Sequence, residues 1–299
     1  MLDAPTRAVP SPGDRRQRRR TAPHEDPMDH HVDRTVLSAD GTPIAVSESG
    51  VGPALVVVGG AFDHHGTPYQ ERLVASLAER HRVLTYDRRG RGASGDTLPW
   101  AVEREVDDLR AVVDSVDGPV SAYGYCIGAG IVLRGLAAGV AVDRAVLFEP
   151  PFRASVEQHV DDVLFADLLD EHVAAGRRAQ AVRAFLSHVL GAAMGQITML
   201  RLRSGVWARL LRDAHVLSRD VRVLNGLVIP ERVAAAVGVP VLVVSGDDGP
   251  EFMGRAARAV GQAVPGADYV QLPGQWHRPE PEVIRTVIDR FTGPAKMEP

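Results

Sequence analysis

The chain has 299 residues, 45% of them apolar and 24% charged, with a formal net charge of −4 and a single cysteine. One thiol excludes an internal disulfide framework and any cysteine-built zinc site, and the negative balance argues against the clustered positive field that nonspecific nucleic-acid binding requires. No apolar run reaches the ~18–20 residues of a membrane span; the best, 131–142, is interrupted by Arg134. The expectation is a cytoplasmic protein without membrane or nucleic-acid partners, large enough for one big α/β domain or two small ones.

Residues 1–27 carry six Arg against four carboxylates, a surplus of +2 that leaves −6 on the rest of the chain. Proline and charge dominate this stretch, with too little apolar surface to offset chain entropy, so it reads as a disordered basic tail. No hydrophobic segment of an export signal follows its arginine run; Met28 is an alternative start. From Val32 the pattern turns regular. Thr35–Ser38 and Pro43–Glu48 flank Asp40-Gly41 and read as a hairpin. Ala54–Val58 is continuously apolar, as a strand buried on both faces would be. A helix over Tyr69–Arg80, a strand over Arg82–Tyr86 and a glycine-rich turn over Asp87–Asp96 follow. Val102, Val106, Leu109, Val113 and Val116 are spaced for a helix. Strand Val120–Tyr123, helix Ile127–Ala138 and strand Arg144–Phe148 complete the first half.

Strand–helix alternation with short connections predicts a mostly parallel sheet with helices on both faces. It stops after Phe152, where helices are expected at Val156–Ala174, Ala179–Gly191, Leu200–Ala214 and Pro230–Ala236. It resumes with strand Val239–Ser245, helix Glu251–Val264, strand Tyr269–Leu272 and helix Glu280–Phe291. The division predicted is a core of 28–151 and 238–299, with 152–237 as a helical cap over the sheet's carboxyl edge, where open α/β sheets bind ligands.

The most informative residues are Gly124-Tyr125-Cys126-Ile127-Gly128, at a strand-to-helix junction. A side chain on so sharp a turn has a strained backbone, and the residues two before and two after it must be small. The helix start offers free N–H groups that favour negative charge, so a thiolate gains there and the Ile127 N–H can face an oxyanion. A lone cysteine is often only a small buried hydrophobe; this position, with a histidine late in the chain, favours a nucleophile.

From about Val32 to Phe291 the chain resembles the α/β-hydrolase fold. The resemblance is to a bacterial group with blocks like VVVGGA (Val56–Ala61), TYDRRGRGASGDT (Thr85–Thr97), VEREVDDL (Val102–Leu109), LFEPPF (Leu147–Phe152) and LPGQWH (Leu272–His277). Its elbow serine is replaced here by Cys126. In the order nucleophile, acid, histidine, His277 is the base; the other histidines lie too early or in the cap, and the His64-His65 pair lacks partners for a metal. The resemblance leaves two places for the acid: Glu149 at the end of strand Arg144–Phe148, ranked first, or Asp248 and Asp247 after strand Val239–Ser245. It places the second oxyanion donor at the N–H of Ala61, with Phe62 as the alternative. The glycine-rich Arg88–Gly95 loop lacks the ending of a phosphate loop and reads as a structural turn.

The expected activity is cofactor-free and metal-free hydrolysis of a small acyl substrate (an ester, thioester or lactone) through an acyl-cysteine. Acyl transfer or cyclisation by the same Cys–His pair is the alternative, as is a non-catalytic binding protein on a hydrolase scaffold. Oligomeric state is not legible.

Overall fold

The computed structural model of the chain describes residues 34–153 and 159–293. The basic tail, Met28 and the first residues of the helix expected from Val156 lie outside the described residues. Strands β1 (Arg34–Leu37) and β2 (Pro43–Ser49) pair antiparallel, with Thr35 opposite Ala45. Their turn is closed by Asp40, whose Oδ1 accepts the Thr42 N–H at 3.1 Å. The next elements are β3 (Ala54–Val58), α1 (Pro68–Leu77), β4 (Arg82–Tyr86), α2 (Val102–Asp114), β5 (Val120–Tyr125), α3 (Ile127–Ala137) and β6 (Arg144–Phe148). Helices α4 (His159–Ala174), α5 (Arg178–His188), α6 (Met194–Leu202), α7 (Ser204–Arg212), α8 (Leu217–Val223) and α9 (Glu231–Ala235) are then inserted. The chain closes with β7 (Val241–Gly246), α10 (Glu251–Ala263), β8 (Asp268–Leu272) and α11 (Pro281–Thr292).

The eight strands form one sheet in the order β1-β2-β4-β3-β5-β6-β7-β8, parallel from β4 to β8 and antiparallel at β1 and β2. Every residue of β3 and β7 is buried, which is why Ala54–Val58 reads as an uninterrupted apolar run. α1 packs with α11, and α2, α3, α9 and α10 pack in succession, giving the sheet its helical layers. Each fully buried Val or Leu in this core contributes roughly 1.5–3 kcal/mol of transfer free energy.

Most boundaries shift by one to three residues, and four of the differences have a clear local reason. β5 runs past Tyr123 because Gly124 still pairs with Val58 and Leu147, and Tyr125 with Phe148. α1 stops at Leu77, where the N–H groups of Arg80 and His81 fold back onto its carbonyl. β7 starts at Val241 because Pro240 has no N–H for the ladder. The helix expected over Leu200–Ala214 is two helices, broken at Arg203, whose ψ is 83°. Apolar spacing runs through that break, but Ser204 and Gly205 are weak helix formers and the chain turns there. α8 lies where no element was expected.

Candidate active site

Cys126 stands between β5 and α3 with φ 55° and ψ −124°, a conformation that L-residues rarely adopt. The surrounding structure holds it there. Its own N–H donates to the Phe148 carbonyl at 2.9 Å, and its carbonyl accepts from Ala129 at 3.1 Å. The small neighbours are required by contact: a Cβ on Gly124 would lie 2.6 Å from the Gly128 carbonyl oxygen, and one on Gly128 would lie 2.0 Å from that of Val58. The sulfur is almost fully buried, at the floor of a cavity under the inserted helices.

His277 comes from the loop after β8 and Glu149 from the end of β6. Glu149 Oε2 lies 3.1 Å from His277 Nδ1, and Oε1 accepts the Gly246 N–H at 2.9 Å, so both oxygens of a wholly buried carboxylate are satisfied. Glu149 too has a positive φ, 42°, at the sharp turn into Pro150. With Nδ1 engaged, Nε2 is the ring nitrogen left for the Cys126 side chain, which lines the same cavity as His277. Burial disfavours a charged imidazole here, but the sulfur and the Glu149 carboxylate outweigh it and push the His277 pKa up to about 10. The structure thus brings Cys126, His277 and Glu149 together, with His277 hydrogen-bonded to Glu149 and sharing the cavity with Cys126.

The alternative acids are not brought to His277. Asp247 is exposed and its Oδ1 accepts the Gly274 N–H at 2.6 Å; Asp248 is exposed and its N–H donates to the Gln275 carbonyl. They brace the loop that carries His277. Ile127 opens α3, so its N–H has no carbonyl one helical turn back to bond. Gly60 backs onto the nucleophile: a Cβ there would sit 3.2 Å from Cys126 Cβ and 3.6 Å from Sγ, which places the Ala61–Phe62 stretch beside the sulfur. Both residues line the same cavity.

Two features were missed in the sequence. The supposed turn after β4 holds three buried arginines. Arg88 makes paired bonds to Glu105 at 3.0 Å and reaches Asp220 at 2.8 Å. Arg91 grips the same Asp220 at 2.7 Å, while its Nε donates to the Ala61 carbonyl at 3.0 Å. Arg89 meets Asp108 at 2.7 Å. One carboxylate on α8 therefore ties the inserted helices to the loop beside Cys126. The available signal was Glu105 and Asp108 on the apolar face of α2, since buried acids demand partners. The second feature is Arg278, which bonds the buried Asp63 at 2.9 Å and lies over the Tyr69 ring.

Two cavities meet at His277. The inner one, about 250 Å³, is lined by Cys126, Ala61, Phe62, Val206 and Leu210; the outer one, about 660 Å³, is lined by Ala192, Met199, Arg203 and Trp276. Leu186, Leu190, Leu200, His277 and Arg278 line both. Among the described residues, no group of three or more His, Cys, Asp or Glu side chains is placed to hold a metal ion. Nor is any helix among them long and apolar enough to cross a membrane.

A family model described as the alpha/beta hydrolase family matches residues 54–285, from β3 into α11. The chain belongs to the α/β hydrolase family. An α/β hydrolase from Sphaerobacter thermophilus superposes with a TM-score of 0.79 at 36% identity, covering 87% of this chain and 100% of that one. BpoC of Mycobacterium tuberculosis, which bears the name of a candidate non-heme bromoperoxidase, is 25% identical over 271 residues, 85% of this chain and 98% of its own. The enol-lactonase from Burkholderia xenovorans shares the fold, with a TM-score of 0.62 at 21% identity over 87% of this chain and 100% of that one.

Proposed function

We propose that this α/β hydrolase cleaves an ester, thioester or lactone of a small molecule through an acyl-cysteine on Cys126. The observation that carries the reading is the strained elbow that holds Cys126 at a helix start, in the same cavity as a His277 whose Nδ1 is hydrogen-bonded to the buried Glu149. A cysteine that merely filled space would need neither the strain nor the partner.

In the resting enzyme the proton sits on His277 and the negative charge on Sγ, an arrangement that fits the raised pKa of the imidazole. The thiolate attacks the carbonyl carbon, forming the S–C bond while the carbonyl π pair moves onto oxygen. The N–H groups of Ile127 and Ala61, or Phe62 in its place, receive that oxyanion. Collapse breaks the bond to the leaving group, which takes the Nε2 proton of His277. The neutral imidazole then deprotonates water, hydroxide attacks the thioester, and collapse returns the thiolate beside a protonated His277. Glu149 holds the ring in one orientation throughout and balances its charge. No cofactor enters the balance.

An aspartate nucleophile, as in the epoxide hydrolases and haloalkane dehalogenases of this fold, is absent at position 126. Among the similar structures are one named an enol-lactonase and one named an esterase, names that fit the ester and lactone classes proposed here. The test is a panel of esters, lactones and acyl thioesters assayed with the wild type and Cys126→Ala. Turnover of at least one class that vanishes in the variant supports the reading; turnover that survives in it overturns it.

A further inference from the structure

The two cavities are not equivalent with respect to the reacting groups. Cys126 lines only the inner cavity, as do Ala61 and Phe62, whereas His277 lines both. In an acyl-cysteine mechanism the carbonyl carbon becomes bonded to Sγ, so the acyl chain must lie in the space the sulfur faces. The departing atom takes its proton from His277, so the leaving group must lie on the side that His277 faces and Cys126 does not. From this juxtaposition, and resting on the hydrolytic reading above, we infer that the inner cavity is the acyl site and the outer cavity the leaving-group site.

Size and polarity then name the substrate class. The inner cavity, about 250 Å³ against about 660 Å³ for the outer one, takes the smaller of the two groups. Its far wall is Phe62, Val206 and Leu210, so the chain it takes is apolar. The outer cavity is more than twice as large and opens past Met199, which is 61% exposed, onto the surface. Arg278, which lines both cavities, is engaged with Asp63; Arg203 stands at the wall of the outer cavity alone, so any anionic group would belong there and not in the acyl site. The substrate is a compact apolar acyl group carried on a larger, mainly apolar alcohol or thiol.

The test crosses two ester series, one lengthening the acyl chain on a fixed alcohol and one lengthening the alcohol on a fixed acyl group. It is run on the wild type, Val206→Phe, Leu210→Ala and Met199→Trp, with Cys126→Ala as control and circular dichroism to check folding. Val206→Phe shortens the accepted acyl chain, with kcat/KM falling about tenfold per methylene excluded, and leaves the alcohol profile in place. Leu210→Ala moves the acyl optimum to longer chains, so the claim does not depend on one bulky variant. Met199→Trp narrows the alcohol profile and leaves the acyl profile in place. If the inner variants alter the alcohol profile, or neither profile moves, while activity still depends on Cys126, the division is wrong and the acyl-cysteine reading stands. If no ester, lactone or acyl thioester is turned over, or Cys126→Ala keeps the wild-type rate, the reading itself fails and the division with it.

Discussion

On the proposed acyl-cysteine mechanism, sulfur at position 126 instead of oxygen puts the resting catalytic proton on His277. The Cys126 side chain and the Glu149 carboxylate push the imidazole pKa up to about 10 against the opposing effect of burial. The sign of that shift gives a direct prediction. In ring NMR of the folded protein, His277 titrates near pH 10. In Cys126→Ser, which has no thiolate to attract the ring proton, the midpoint moves to lower pH; an unchanged midpoint contradicts the ion pair. Because the folded-state value lies above the ordinary 6.5, the imidazolium's contribution to stability is complete below that value and is lost as pH rises through about 10. Hydrolysis should fall over the same alkaline window, as the leaving group loses its proton donor. Glu149→Gln keeps the shape of the acid and removes its charge. It should lower kcat by about 10- to 100-fold, less than the ~10⁴-fold cost of the equivalent change in a serine triad, because a thiol depends less on its base. A rate within twofold of wild type would remove Glu149 from the role of acid.

At the scale of elements, the site depends on close contacts that leave almost no sequence freedom. Gly128→Ala would drive a Cβ to within 2.0 Å of the Val58 carbonyl oxygen, so β3 and α3 must separate. A loss of about 1–3 kcal/mol or more is expected in urea unfolding, along with lost activity. The arginine cluster acts differently. Asp220→Ala strips a shared carboxylate from two buried guanidiniums and should cost about 3–5 kcal/mol. Since Arg91 also holds the Ala61 carbonyl, kcat should fall in the molecules that remain folded. A loss below about 0.5 kcal/mol, the range of ordinary surface substitutions, would show that the cluster does not lock the inserted helices to the core.

At the scale of the whole molecule, the parallel sheet was legible because its central strands are apolar on both faces and are separated by helices with clear spacing. The elbow was legible for a steric reason: Gly124 and Gly128 frame Cys126 at a strand-to-helix junction that tolerates nothing larger. His277 followed from chain order. Glu149 could not be separated from Asp247 and Asp248 in one dimension. The choice among them depends on which strand end faces the loop after β8, and that is a property of the closed sheet. The buried arginines were read as a turn because their partners lie 17 to 132 residues away along the chain. The helices over the site were the least legible: apolar spacing runs through the break at Arg203, and α8 lies where no element was expected.

The central claim is a covalent bond between the acyl group and one named sulfur. The most direct measurement is intact mass spectrometry after rapid mixing with an activated ester and acid quench, followed by peptide mapping. The account predicts a mass increase equal to one acyl group, mapped to the peptide containing Cys126 and absent in Cys126→Ala. Turnover with no adduct on Cys126, or the same adduct in Cys126→Ala, would contradict it.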